Sequence, residues 1–424
     1  MKSKQLTRLV IVLALILCAF LIKIYSDFIW GDEPASKKAD EVITVWTIHG
    51  DTEETLRKVI KKYEENNPNI VFDITVYKNE VYQAAINNAL MTNNLPDMFF
   101  WWGFSKLERL VDADMVYDIS HELEKKQINA EITEGGLDAF TFNNKTYALP
   151  LYGWTAALFC NRDIFEQNNL EYPKNYNHLL ETIDILHKKN KTPMITSAKE
   201  GWVSSLYYMS LVQGEGSGNN IIQASNKKAL FLSPQYIQAT HKLYDLVVKS
   251  AWQEDYLEVD AYNAAYSFTQ GEGAMLYYGS WATTLIEGEG SKVSNNVEVI
   301  PFPNGNSTEG IGGVVDTFVI SKEGVIPKKA DYIDMYIDIM HEVSDIIVND
   351  IGGGIPVYRD QSIDAQKFPL LYSIWEINKN RTLYPAYDQI MTEELSAQYY
   401  NTLNEMMADE IDYQGFIEGI TIQQ

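Results

Sequence analysis

A chain of 424 residues is too long for a single hydrophobic core, which points to two lobes. Hydrophobic residues at 46% and charged residues at 22% exclude wholesale disorder. A formal charge of −24 repels phosphate backbones, so no nucleic-acid partner is expected.

Lys2, Lys4 and Arg8 precede an unbroken apolar run from Leu9 to Ile22, closed by Lys23. A basic start followed by such a run is the pattern of a secretory leader. The run is shorter than the roughly 20 residues of a membrane span, but Ile24, Tyr25, Phe28, Ile29 and Trp30 extend it toward an uncleaved anchor with interfacial aromatics. Residues 1–30 are therefore read as a signal or anchor segment. Leu15-Ile16-Leu17-Cys18 resembles the lipobox of bacterial lipoproteins but has Leu17 where a small residue normally precedes the cysteine. The tether stays open between a lipid on Cys18 and an uncleaved helix, and the expected location is the outer face of the cell membrane. Beyond the leader Cys160 is the lone cysteine, which excludes an intrachain disulfide in the exported part. Residues 31–41 are small, polar and charged, as in a spacer.

The β-branched run Val42-Ile43-Thr44-Val45-Trp46 predicts a first strand. Thr52 to Glu65 carries Leu56, Val59, Ile60 and Tyr63 on one helical stripe and is stopped by Pro68. Ile70 to Val76 reads as a second strand, followed by a helix near Val81–Met91 and a strand at Asp97–Trp102. Strand, helix, strand in so short a stretch is a βαβ unit, which implies a parallel sheet and an α/β class.

Ordered landmarks then carry a family resemblance. They begin with Ile43-Thr44-Val45-Trp46, Tyr63 and Asn67-Pro68, and continue with Leu95-Pro96-Asp97-Met98-Phe99-Phe100 and Leu110-Val111 to Tyr117-Asp118-Ile119. Tyr147-Ala148-Leu149-Pro150 leads to Phe159-Cys160-Asn161-Arg162-Asp163, and Gln270-Gly271-Glu272-Gly273-Ala274-Met275 leads to Gly279-Ser280-Trp281. Pro301-Phe302-Pro303, Gly312-Gly313 and Gly354-Ile355-Pro356-Val357 complete the set, across roughly residues 42–360. In order and spacing the chain resembles the family 1 extracellular solute-binding proteins, which include maltose- and oligosaccharide-binding components of ABC importers. The resemblance implies the two-lobed periplasmic-binding-protein type II fold with crossing hinge segments. The expected partition is 42–150 plus 278–313 for lobe 1 and 151–277 plus 314–424 for lobe 2. It also implies a monomer that captures a sugar, an oligosaccharide in view of the aromatic abundance, and delivers it to an ABC permease without cofactor or metal.

In open α/β sheets, ligands sit beyond the carboxyl ends of the strands. A pyranose has apolar C–H faces and a hydroxyl rim, so it calls for indole platforms, carboxylate acceptors and glycines that let backbone amides approach. Trp101, Trp102, Trp154, Trp202 and Trp281 stand at such ends, although side chains of adjacent residues on a strand face opposite ways, so one of Trp101 and Trp102 is expected to meet ligand. The first loop offers His49 and Asp51, which match the family's polar contacts with one inserted residue; Asp51 equally suits a helix N-cap. Gly313 at the third crossover, Asp316 at the start of the next strand, and Tyr358 complete the candidate set.

Enzyme motifs are absent. His341-Glu342-Val343-Ser344-Asp345 lacks the second histidine of HExxH, and its stripe with Ile333, Tyr336, Ile337 and Met340 reads as packing. Three alternatives stay open: a binding protein for a non-sugar ligand, such as a ferric-ion binder using Tyr207-Tyr208 or Tyr277-Tyr278, a sensory co-receptor, and a glycan-degrading enzyme with two unrecognised carboxylates.

Overall fold

The computed structural model describes residues 41–216, 228–306, 308–325 and 331–421. The expected leader, Cys18 and nearly all of the spacer lie outside the described residues. Among the described residues no helix is long and apolar enough to cross a membrane.

Two sheets organise the chain. The first runs Asp316–Ile320 (β11), Met98–Trp102 (β3), Glu41–Ile48 (β1), Ile70–Tyr77 (β2) in spatial order. The expected βαβ pattern is present: β1 and β3 are parallel, with Val45 opposite Met98, and helices Asp51–Asn66 and Asn79–Met91 separate the first three strands. Asp51, Glu53 and Glu54 sit in the first turn of the Asp51–Asn66 helix, where its macrodipole favours negative charge. β11 is the exception to parallelism, running antiparallel to β3.

The second sheet runs Thr382–Tyr384 (β12), Glu309–Val314 (β10), Gly153–Asn161 (β6), Met275–Gly279 (β8), Met194–Ile195 (β7), with Val297–Ile300 (β9) also pairing β6. Two short strands, Thr141–Phe142 (β4) and Lys145–Thr146 (β5), form a separate hairpin. β6 is buried at all nine positions, because it has partners along both edges and helices pack around it. That explains its apolar run without the alternation of a half-exposed strand. Cys160 lies buried within it.

These pairings correct the expected partition. β9 and β10, from the 278–313 stretch assigned to lobe 1, join the second sheet through β6. β11, from the stretch assigned to lobe 2, joins the first sheet through β3. The physical reason is that β10 and β11 are consecutive extended segments separated only by Val315. The chain changes sheets at that residue, with no loop or composition change to mark it.

Among the described residues the chain divides by contact into two compact units, residues 41–43 with 60–73, and residues 44–59 with those from 74 onward. In the first, the Glu41 amide donates to the Asn69 carbonyl at 3.1 Å, the Phe72 amide donates to the Glu64 carboxylate at 2.8 Å, and Tyr63 meets Phe72 edge-on. The second unit contains both the Val315 crossing and the candidate site.

Candidate functional site

The crossing sets the site. On the second-sheet side Gly313 lies opposite Trp154, and on the first-sheet side Asp316 lies opposite Trp102. Three residue steps separate Gly313 from Asp316, at most about 11 Å of extended chain. The crossing is doubled by residues 149–153: the Leu151 amide donates to the Asp316 carbonyl at 3.0 Å, and Gly153 pairs with Val314. Gly313 has φ +152°, and a Cβ there would meet nothing within 4 Å, so its backbone borders open space. At the neighbouring Gly312, a Cβ would fall 2.3 Å from the Trp154 carbonyl.

Four aromatic rings gather on the second sheet. Trp281 lies 5.2 Å from Trp154, 5.9 Å from Trp202 and 5.5 Å from Tyr278. The tilted arrangements suit the ring quadrupoles. Trp154 and Tyr278 are buried, whereas Trp202 and Trp281 are only partly buried and lie against a core that includes Phe159, Phe268 and Leu276. Gly279 makes this possible. A Cβ on it would lie 2.2 Å from the Trp281 ring, so the indole rests against bare backbone. Trp202 belongs to the helix Gly201–Glu215, near its start, instead of following a loop.

On the first sheet the rings of the two adjacent tryptophans meet, 5.6 Å apart between centres and tilted by 53°, so the strand's alternation does not part them, and burial distinguishes them instead. Trp101 is 1% exposed and packs on Phe99, whereas Trp102 is half-buried between Tyr82 and Phe100, with the Lys106 ammonium 4.6 Å from its ring centre. Lys106 also pairs with Asp388 at 2.8 Å. This ammonium draws together Trp102 and an acid 282 positions away in sequence. Asp316 is buried, and its carboxyl is pushed up to about 7; burial is the main cause, opposed by Lys106 and reinforced by Asp388. The Tyr152 hydroxyl hydrogen-bonds Thr52 at 3.2 Å, and burial, then the charges of Asp316 and Asp51, raise its pKa. One phenol thus feels both candidate acids. Beside Asp51 stands Gly353, whose added Cβ would be 3.5 Å from its carboxylate and 3.7 Å from Thr284.

Of the sequence-derived candidates, Asp51, Trp102, Gly313 and Asp316 thus border the crossing, and Trp281 and Trp202 form a half-open aromatic face next to it. Trp154 lies behind Trp281 as a support. Trp101 faces the interior, so the expectation of one exposed partner falls on Trp102. His49 is an exposed residue whose ring pairs with Glu53 at 3.2 Å. Asp51 is the first residue of its helix, and the amide of Glu54 is satisfied by the Gly50 carbonyl. Tyr358 is placed elsewhere: it is 1% exposed, donates to the Pro150 carbonyl at 3.2 Å and packs against His341. The tyrosine pairs at 207–208 and 277–278 are buried core, with Tyr207 and Tyr277 in contact at 5.2 Å. Lys106, Tyr152 and Asp388 escaped sequence reading, and Tyr278 entered it only as half of a ferric-binding tyrosine pair. Tyr152 alone had a signal, its place between Pro150 and Trp154 in a crossover.

Rings with open faces, a buried acid and a bare glycine backbone are equipment for holding a polar molecule with apolar faces. The family model for bacterial extracellular solute-binding proteins matches residues 49–333. A multiple sugar-binding protein of Streptococcus mutans is 22% identical over 289 residues, 65% of this chain and 66% of the relative, so the match spans just under two thirds of that relative's length. Among solved structures, one from work on xylan utilization by the thermophile Caldanaerobius polysaccharolyticus superposes with a TM-score of 0.82 at 22% identity, covering 90% of this chain and 99% of its own. A chitin oligosaccharide binding protein gives 0.80 at 20% identity, covering 90% and 97%. These likenesses establish the maltose-binding-protein-like, two-lobed fold class. The chain belongs to the bacterial extracellular solute-binding protein family.

Proposed function

We propose that this protein captures a carbohydrate, an oligosaccharide in preference to a single sugar, and delivers it to an ABC importer at the cell surface. The observation that carries the reading is a pair of partly open indoles flanking the crossing: Trp102 of β3, opposite Asp316, and Trp281, which follows β8 and packs on Trp154 opposite Gly313. Indoles cover C–H faces, while Asp316, Asp51 and Tyr152 supply polar partners for hydroxyls. The names of the S. mutans and chitin-oligosaccharide relatives agree with this class of ligand.

The working lobes follow the sheet memberships, with one lobe built from residues 42–150 and the stretch after Asp316, and the other from 153–314 and the C-terminal helices. A ligand touching both favours their closed arrangement, and the closed form docks on the permease. The protein acts as a monomer, held at the membrane by its N-terminal segment, and leaves its ligand chemically unchanged. A thermal-shift screen of the full chain against a glycan panel tests the reading. One class of oligosaccharide should raise the melting temperature through mass action and be recovered intact after prolonged incubation. A panel with no stabilising glycan, or recovery of shortened products, refutes it.

A further inference from the structure

Behind the 149–153 crossing lies a second polar centre. The helix Asp331–Asp345 ends beside the segment following Ile355, and together they border an open pocket of about 290 Å³ lined by Glu131, Asp338, His341, Glu342, Asp345 and Tyr358, among others, with no lysine or arginine among the described residues of its wall. Inside it the imidazole of His341 stands between two carboxylates: Nδ1 is 3.8 Å from Asp345 Oδ2 and Nε2 is 3.8 Å from Asp360 Oδ2. One ligand atom from each of His341, Asp345 and Asp360 lies within 4.8 Å of the other two.

These separations are too long for hydrogen bonds. An ion takes a single ring nitrogen, so one of the two separations is an edge of its shell; the set of one ligand atom per residue lies within 4.8 Å, and rotation of the exposed Asp360 side chain would bring it toward the spacing of about 3.3–3.6 Å in a tetrahedral shell with bonds of about 2.0–2.2 Å. The side chains are also braced as ligands usually are. Asp345 Oδ1 accepts from Gln361 Nε2 at 3.1 Å and from Asn349 Nδ2 at 3.4 Å, leaving Oδ2 toward the imidazole. Tyr358 holds the His341 ring edge-to-face at 4.7 Å. The adjacent cation, Arg359, donates from Nε to the Ala130 carbonyl at 3.0 Å. A nitrogen and two carboxylates suit zinc, whereas calcium and magnesium prefer all-oxygen shells.

We propose that His341, Asp345 and Asp360 form a binding site for a divalent cation of the zinc class. The site departs from the metal-free reading of the sequence, because Asp360 reaches it from a loop that the HExxH pattern does not include. Bound there, the ion joins the helix end to the Ile355–Gln361 segment. That segment is itself attached to the crossing by the mutual Gly153 and Ile355 hydrogen bonds and by Tyr358 on Pro150.

The test is calorimetric titration of zinc chloride into the EDTA-stripped, dialysed full chain, with melting followed in parallel. The expected result is a saturable equivalent of zinc and a higher melting temperature, with Asp360→Asn weakening zinc at least tenfold. Asp360 is 67% exposed at its side chain, so this variant keeps the fold. His341→Ala should weaken zinc by at least as much. Absence of saturable binding, or binding of equal affinity in both variants, overturns the proposal. A melting temperature that follows pH but not zinc overturns it too, leaving simple pairing of a protonated His341 with its two acids.

Discussion

Replacing Asp316 by asparagine isolates the electrostatic cost of the acid at the crossing. The unfolded chain releases the Asp316 proton near the ordinary 3.8, whereas the folded chain holds it up to about 7. Between those values the native state binds the extra proton, so this group's contribution to stability falls as pH rises and levels off above the folded value. The interval of roughly three pH units corresponds to an upper bound on the order of 4 kcal/mol. Asparagine preserves the shape without titrating. The stability difference, Asp316→Asn minus wild type, should therefore move in favour of the variant between pH 5 and pH 8, by up to about 3 kcal/mol, the part of that interval lying above pH 5. Urea unfolding of both full-length proteins at pH 5, 6.5 and 8 measures it. A difference that stays constant over this range refutes the reasoning, because it would mean that Asp316 titrates alike in both states.

Other substitutions probe the remaining parts of the site. Trp281→Ala should weaken binding of the stabilising glycan by about 1–3 kcal/mol, read by calorimetric titration, with little change in melting temperature. Gly279→Ala should reproduce much of that loss without removing the indole, because its Cβ displaces the ring that rests on Gly279. Gly313→Ala should cost about 1–3 kcal/mol of stability from backbone strain alone, since its φ of +152° disfavours a side chain although space is open. Lys106→Met removes the charge that holds the Asp316 carboxyl down, so the pH window of the Asp316 effect should shift upward in the same unfolding series.

The first three strands and the helices between them were legible because each obeys a local rule: β-branched runs, a helical apolar stripe and Pro68 as a stop. The Gly312-Gly313 crossover was also legible. Which sheet each flank joins was not, because strand pairing is decided by distant partners and Val315 carries no turn signal. The same limit governs the site. Sequence marks Trp154, Trp202 and Trp281 as strand- or loop-end aromatics, but which ring is left open depends on Gly279 beneath one indole and the stacking of the others. Adjacent Trp101 and Trp102 were expected to diverge, but at the strand end their rings meet at 5.6 Å, and Trp102 is the more open of the two because of how β3 meets β11. Lys106 and Asp388 meet only through packing of the Tyr387–Ile390 helix, where the Ser105 hydroxyl donates to the Gln389 and Met391 carbonyls. No spacing rule reaches that far.

Leu151 to Gly153 and Val314 to Asp316 run side by side and are fastened to one another, with Ile355 fastened to Gly153 as a third ply. A strap made this way bends easily across its flat face and resists twisting, so the two sheets should swing like a door and not swivel like a ball joint. The Leu151 and Ile355 amides, which hold the plies together, should then exchange with deuterium slowly, whether the cleft is filled or empty.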